Sequence, residues 1–391
     1  MRTTWNSFAN NRILFGPGAL DGLGHVVSRL QGNRVMIITD PVMESLGIAD
    51  RARAAVRGEA TIYAGGEVEP STVAVSRCAD SMRDFAPDVT VAIGGGSNMD
   101  LAKLTCATVT SGRSPEDLLG FDQVTGPIGP LICVPTTAGT GSESSASAVI
   151  LNASDQMKAA ALSPYLRPEV ALVDPQLTLT CPPKLTAESG IDALTHAIEA
   201  YLAIDSTSFD EPESGLLAYE GSHPIGDLYA EKAIRLINRH FLTAVNDPRN
   251  MEARSGMALA ATLAGLAFSN CGVALAHALE YPIGNRYKCA HGAGNGIVLP
   301  AVMRFLRPER EKRLSNIGAF LDAPASPEAA IESVIGLRKA AGLPKVLSEV
   351  GASVEDLPGL AATARSLERL MALSPIQPSE ADLLGILEAS L

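Results

Sequence analysis

The run Val89-Thr90-Val91-Ala92-Ile93-Gly94-Gly95-Gly96-Ser97-Asn98-Met99-Asp100 decides the fold. Its first five residues read as a buried strand, and the glycines that follow bend the chain sharply into a helix. Such a turn lets another group approach the backbone. It also presents unpaired N–H groups and the positive end of the helix dipole, an anion site suited to pyrophosphate. The run is neither G-x-G-x-x-G nor a P-loop, and a tight strand-to-helix turn with no ligand would carry the same glycines.

Outward from this unit the pattern repeats. Arg34–Asp40 (RVMIITD), Ala60–Ala64 (ATIYA) and Leu131–Pro135 (LICVP) are further short apolar runs bounded by Gly, Pro or Asp. Between the runs, Pro41–Val56, Ser71–Phe85 and Asn98–Thr110 have helical spacing. Strand and helix in alternation imply a parallel sheet covered on both faces. Ala146–Leu151 and Met157–Leu162, separated by Asn152–Gln156, read as a hairpin added to that sheet, and Val170–Asp174 as a final strand. After Pro182–Pro183 nearly everything reads as helix: Ala187–Leu202, Asp227–Val245, Glu252–Phe268, Ala274–Leu279, a segment from His291, Pro308–Leu321, Pro327–Ala341 and Ser379–Leu391. The fold class is α/β plus all-α, with residues 1–182 forming a dinucleotide-binding domain and residues 183–391 an all-helical one.

Composition narrows the function. With 391 residues, 46% hydrophobic and 19% charged, the chain has ample core material and is no disordered protein. A balance of 31 Lys plus Arg against 43 Asp plus Glu, with 4% aromatics, argues against nucleic acid as a partner. Six scattered cysteines without a CxxC pair, and an N-terminus without a long apolar stretch, point to a reduced, cytoplasmic protein. Gly256–Leu279 is apolar, but it contains Ser269, Asn270 and His277 and reads as buried helices, so no membrane span is expected.

Two constellations carry chemistry. The first joins the glycine turn to Pro135–Glu143 (PTTAGTGSE), whose hydroxyls and amides follow a parallel strand, and to Asp40 at the end of RVMIITD. Ligands bind such sheets at carboxyl strand ends, and a carboxylate at Asp40 would accept ribose hydroxyls and repel a 2′-phosphate, favouring NAD. The second is Asp192 and His196, four residues apart on one helix face, with His277 and His291. One carboxylate and three imidazoles suit Fe²⁺ or Zn²⁺, although singly each is equally an ordinary helix pair or core histidine. A Lewis acid beside a dinucleotide would serve hydride transfer between an alcohol or aldehyde and nicotinamide.

Together GGGSNMDLAK (Gly94–Lys103), PTTAGTGSE, Asp174-Pro175, GIDALTHAIEAY (Gly190–Tyr201) and CAHGAGNGIVLP (Cys289–Pro300) resemble the iron-containing, or group III, alcohol dehydrogenases. The resemblance runs from Asn11–Leu20 to Ser379–Ser390, essentially the whole chain. It implies a dehydroquinate synthase-like architecture, an NAD site in the first domain, a metal in the cleft before the second, and a homodimer or larger homo-oligomer. Carried over residue by residue, it makes Asp192, His196, His277 and His291 the metal ligands. Gly95, Gly96, Ser97 and Asp100 become the pyrophosphate turn, and Thr136, Thr137, Thr140 and Ser142 the second cofactor loop. Lys158 falls near the nicotinamide ribose, and Asp40 sets the preference for NAD.

Two departures stand out. Many members have a second histidine one turn after the third ligand, where this chain has Tyr281; a phenol can relay a proton but is a weaker base near neutrality. Tyr281 and His277 are therefore the candidate catalytic residues. An insertion near Ala203–Ser222 follows the metal helix. It and Tyr281 resemble the hydroxyacid–oxoacid transhydrogenase branch, which oxidises 4-hydroxybutyrate with 2-oxoglutarate as acceptor and retains its NAD. Arg286 and Lys288 are candidates for a substrate carboxylate in that reading, or plain surface cations. A lyase like dehydroquinate synthase shares the fold but needs a denser basic site, and a non-catalytic scaffold would not need all four ligands.

Overall fold

The computed structural model describes residues 2–154, 157–210 and 219–391. The chain divides into two compact units, Phe8–Cys181 and Met1–Ser7 with Pro182–Leu391.

In the first unit six parallel strands stand in the order β1-β9-β6-β4-β2-β3. They are β1 Arg12–Phe15, β2 Arg34–Ile38, β3 Glu59–Tyr63, β4 Val89–Gly94, β6 Leu131–Pro135 and β9 Val170–Val173. The helices are α1 Leu23–Arg29, α2 Pro41–Ser45, α3 Ile48–Ala55, α4 Thr72–Phe85 and α5 Gly96–Ser111. Alternate residues of each strand enter two cores. Val35, Ile37, Val91 and Ile93 pack with α1 and α3, whereas Met36, Ile38, Ala92 and Cys133 pack with α4 and α5. The chain leaves β2 for β3 on one side and returns to β4 on the other, so the loops after β2 and β4 open at a topological switch point.

Three local readings change. The helix expected over Pro41–Val56 is two, broken at Gly47, which turns at φ 71°. β1 was not read as a strand: it is four residues long and pairs only with β9. The hairpin of β7 Ser147–Asn152 and β8 Met157–Leu162 does not extend the main sheet. It forms a second sheet with β5 Gly120–Phe121. Both neighbours of β6 are already β4 and β9, and the start of β7 is tied to α5 by polar contacts described below. Of the turn expected at Asn152–Gln156, residues 155–156 lie outside the described residues.

The second unit is helical: α6 Pro183–Leu202, α7 Pro224–Asn246, α8 Met251–Cys271, α9 Leu275–Tyr287, α10 His291–Phe320, α11 Pro327–Ala340, α12 Leu357–Arg365, α13 Glu368–Met371 and α14 Glu380–Glu388. The two segments expected from His291 and over Pro308–Leu321 both lie in α10, divided by a kink where Arg310 leaves helical geometry. Residues 2–7, counted above with the α/β part, group here. Arg2 forms a buried ion pair with Glu220 at 2.6 Å, and Trp5 stacks on His223 at 4.5 Å. Among the described residues no single helix is long and apolar enough to cross a membrane; α8 and α9 pass such a test only as a pair bent by 107°.

Candidate functional site

The helical unit brings the predicted carboxylate and imidazoles together. Asp192 and His196 lie one turn apart in α6, His277 is in the first turn of α9, and His291 opens α10. One ligand atom each from Asp192, His196 and His277 lies within 4.8 Å of the others. Nε2 of His291 is 3.7 Å from Asp192 Oδ1. Close helix approach makes this possible: a Cβ on Gly292 would fall 1.9 Å from the Glu188 carbonyl oxygen. His196 is stacked between Phe268, at 4.4 Å, and His277, at 4.7 Å. Asp192, His196 and His277 are buried, while a third of the His291 side chain is exposed, so the cluster opens at His291. Burial works against ionisation of Asp192. The three imidazoles and an Asn295 hydrogen bond more than offset it and hold the carboxyl below its usual pKa.

Three residues not anticipated from the sequence surround this cluster. Glu199 Oε2 meets His277 Nδ1 at 2.5 Å, Glu280 Oε2 meets His291 Nδ1, and the Asn295 amide donates to Asp192 Oδ1 at 3.0 Å. All three are essentially buried. Their signal was spacing: Glu199 is seven residues after Asp192, Glu280 three after His277 and Asn295 four after His291, each on the helix face of a ligand. Tyr281 lies beside His291 with ring centroids 6.1 Å apart. Arg286 is exposed and paired with Asp356 over the Tyr287 ring, which removes it as a ready carboxylate receptor. Lys288 closes α9 at φ 53°. Of the Ala203–Ser222 segment, residues 211–218 lie outside the described residues.

In the α/β unit the glycine turn is built as expected. Gly94 turns at φ 143°, where a side chain would be strained, and a Cβ there would meet the Asn98 amide at 2.1 Å. Helix α5 then starts from Gly95 with no side-chain cap, leaving its opening to the backbone. Thr137 and Thr140 lie over Gly95 and Gly96, and Thr136 N–H donates to the Gly94 carbonyl at 2.9 Å. Ser97 donates to Val68 O. Asp40 caps α2 through Val42 N at 2.8 Å and Met43 N at 3.0 Å, and its second oxygen accepts the Asn98 amide at 2.6 Å.

The remaining predicted cofactor residues are engaged with one another. Ser142 Oγ donates to Asp100 at 2.6 Å, and Val149 N–H donates to the same carboxylate at 3.0 Å. The fully buried Lys103 donates to Ser142 Oγ, Ser145 Oγ and the Ser147 carbonyl at 2.8, 3.1 and 2.8 Å. Burial pushes the Lys103 pKa down and that of Asp100 up. This knot fastens the second loop and β7 to α5. Lys158, on β8, pairs with Glu69 at 3.0 Å.

Known proteins match this chain over nearly its whole length. The iron-containing alcohol dehydrogenase family matches residues 10–175, and the C-terminal part of the Fe-containing alcohol dehydrogenase family matches 217–391. Long-chain-alcohol dehydrogenase 1 of Geobacillus thermodenitrificans is 35% identical, over 97% of this chain and 96% of that protein. The mitochondrial hydroxyacid-oxoacid transhydrogenase of Bos taurus is 31% identical, over 98% and 89%. A crystal structure of 1,3-propanediol oxidoreductase superposes with a TM-score of 0.92 at 29% identity, covering 99% of this chain and 100% of that one. With both sequence halves and the whole fold in agreement, the chain belongs to the iron-containing alcohol dehydrogenase family and is an alcohol oxidoreductase of the iron type.

Proposed function

We propose that this enzyme transfers hydride between primary alcohols or hydroxy acids and NAD, working also as an aldehyde reductase, with a divalent metal held by Asp192, His196, His277 and His291. The observation that carries the proposal is the convergence of one carboxylate and two imidazoles in the buried heart of the helical unit, with His291 3.7 Å from the same carboxylate at the open edge. The donor set fits the ion: it is mixed oxygen and nitrogen without thiolate, and the buried carboxylate is held ionised. The same donors accept zinc as readily as iron, and the affinity order favours zinc. When bound, such an ion supplies Lewis acidity toward the substrate oxygen.

The protein's own groups do the rest. The backbone of the Gly94–Gly96 turn receives the pyrophosphate of NAD, with Ser97, Thr136, Thr137 and Thr140 beside it. Asp100 and Ser142 act by holding that loop in place, and Lys158 waits near the ribose. Asp40 takes the ribose hydroxyls and repels a 2′-phosphate. Tyr281, its ring centroid 6.1 Å from that of His291, passes a proton between substrate and solvent. The unit Phe8–Cys181 is assigned the cofactor and the unit that contains Pro182–Leu391 the metal. A cytoplasmic location, supported by six free cysteines, and assembly as a homodimer or larger homo-oligomer, checked by light scattering, belong to the same proposal.

The decisive experiment loads metal-free protein with Fe²⁺ or Zn²⁺ and follows NADH oxidation with short and long-chain aldehydes, succinic semialdehyde and maleylacetate. Rates that rise with metal and vanish with a chelator support the proposal; equal rates with and without metal overturn it. Tyr281 keeps the transhydrogenase as a second reading. Turnover of 4-hydroxybutyrate that responds to 2-oxoglutarate without added NAD would select it.

A further inference from the structure

The imidazoles of the cluster are oriented from behind, helix to helix. Glu199 of α6 reaches His277 of α9, and Glu280 of α9 reaches His291 of α10. In both rings the contact is at Nδ1. The Asn295 amide nitrogen faces the other nitrogen of each ring, 3.3 Å from His277 Nε2 and 3.2 Å from His291 Nε2. An amide nitrogen has only hydrogens to offer, and this one shares its two among Asp192 Oδ1 and the two rings; a ring nitrogen that accepts from it presents a lone pair and carries its proton on Nδ1. The carboxylate beside each Nδ1 demands that tautomer, and the shared amide is compatible with it.

The two glutamates are not equivalent. Glu199 serves two donors at once: Oε1 accepts the Ala276 N–H at 2.6 Å, and Oε2 meets His277. That amide lies in the first turn of α9, whose N-cap, Ala274, has no capping side chain. Glu280 serves one. Its Oε2 holds His291, whereas Oε1 is buried against Gly284 and Gly294 with no partner among the described residues.

From this we infer that Glu199 and Glu280 are positioning residues that fix Nε2 of His277 and His291 as metal donors, and that Glu199 alone locks its tautomer through a double acceptor. The inference rests on the proposed metal site. It makes a prediction that mere structural support does not. A glutamine at 199 has one acceptor for two donors. With its oxygen on Ala276 N–H, its NH₂ group faces His277 Nδ1 and draws the ring proton to Nε2, the wrong tautomer for ligation. A glutamine at 280 places its oxygen on His291 and its NH₂ group in the position that had no partner, so the tautomer survives.

The test measures Co²⁺ binding to metal-free wild type, Glu199→Gln and Glu280→Gln by chelator competition and by visible absorption. Glu199→Gln is expected to bind roughly 10–100-fold more weakly, the range seen when partners of metal-bound histidines are removed, with a changed Co²⁺ spectrum. Glu280→Gln should lose only a few-fold and keep the wild-type spectrum. Affinity of Glu199→Gln within two-fold of wild type, or an equal or larger loss in Glu280→Gln, overturns the inference. Should Glu199→Gln fail to fold, ¹⁵N-histidine NMR of metal-free wild type reads the tautomers directly, and an Nε2–H form of His277 overturns it. Wild type that binds no divalent metal would instead refute the proposed function itself, which separates the two failures.

Discussion

The two units build their sites in opposite ways. In the α/β unit the surface offered to a ligand is mostly backbone, the opening of α5 after Gly94–Gly96, while the nearby side chains Asp100, Lys103 and Ser142 grip one another. In the helical unit the side chains of the four proposed ligands are themselves the surface, and a second ring of Glu199, Glu280 and Asn295 holds three of them. The first design recognises a shared feature, phosphate. The second fixes individual lone pairs, where an error of a fraction of an ångström or one misplaced proton matters. Substitutions in one unit should therefore leave the other unit's ligand untouched.

The hardest test of that contrast is Asp192→Ala. It should lower kcat/KM by about three decades, roughly 4 kcal/mol of lost transition-state stabilisation, and strip the metal as seen by elemental analysis. NADH binding, followed by fluorescence titration, should stay unchanged; its loss would break the separation. Next comes Lys103→Met, which leaves the Asp100 carboxylate without its buried partner. A loss of about 3 kcal/mol in urea unfolding is expected, with Co²⁺ affinity unaltered. Gly94→Ala forces a side chain into a strained φ and against Asn98. It should cost about 2 kcal/mol and weaken NADH binding, with metal content intact. Asp40→Asn is the mildest. Asparagine still caps α2 through its one oxygen but turns its NH₂ group toward the Asn98 amide, so about 1 kcal/mol of stability should be lost, while use of NADPH relative to NADH rises roughly ten-fold as one repulsive charge disappears.

The same contrast explains what could be read in the sequence. Five of the six parallel strands were legible because each is a short apolar run with β-branched residues, β1 being the exception, and the glycine turn because three successive glycines after such a run mark a sharp bend. The proposed ligands stood out as a family pattern and, for Asp192 and His196, as a helical repeat. Glu199 and Glu280 escaped because glutamate on a helix is ordinarily a surface residue. Only the arrival of α9 beside α6, and of α10 beside α9, buries them. The hairpin was misplaced for a related reason. Alternation marks Ser147–Asn152 as a strand, but its neighbours depend on Lys103 and Asp100 some 45 residues earlier, a contact no local pattern encodes.

The pairing of Arg2 with Glu220 has a consequence for how the polypeptide is made. Residues 2–7 belong to a body whose partner residue is synthesised more than two hundred positions later, so they stay unburied until the helical half emerges. Their deletion will be felt in the half of the molecule that holds the histidines, although the intervening sheet is the next part to be translated.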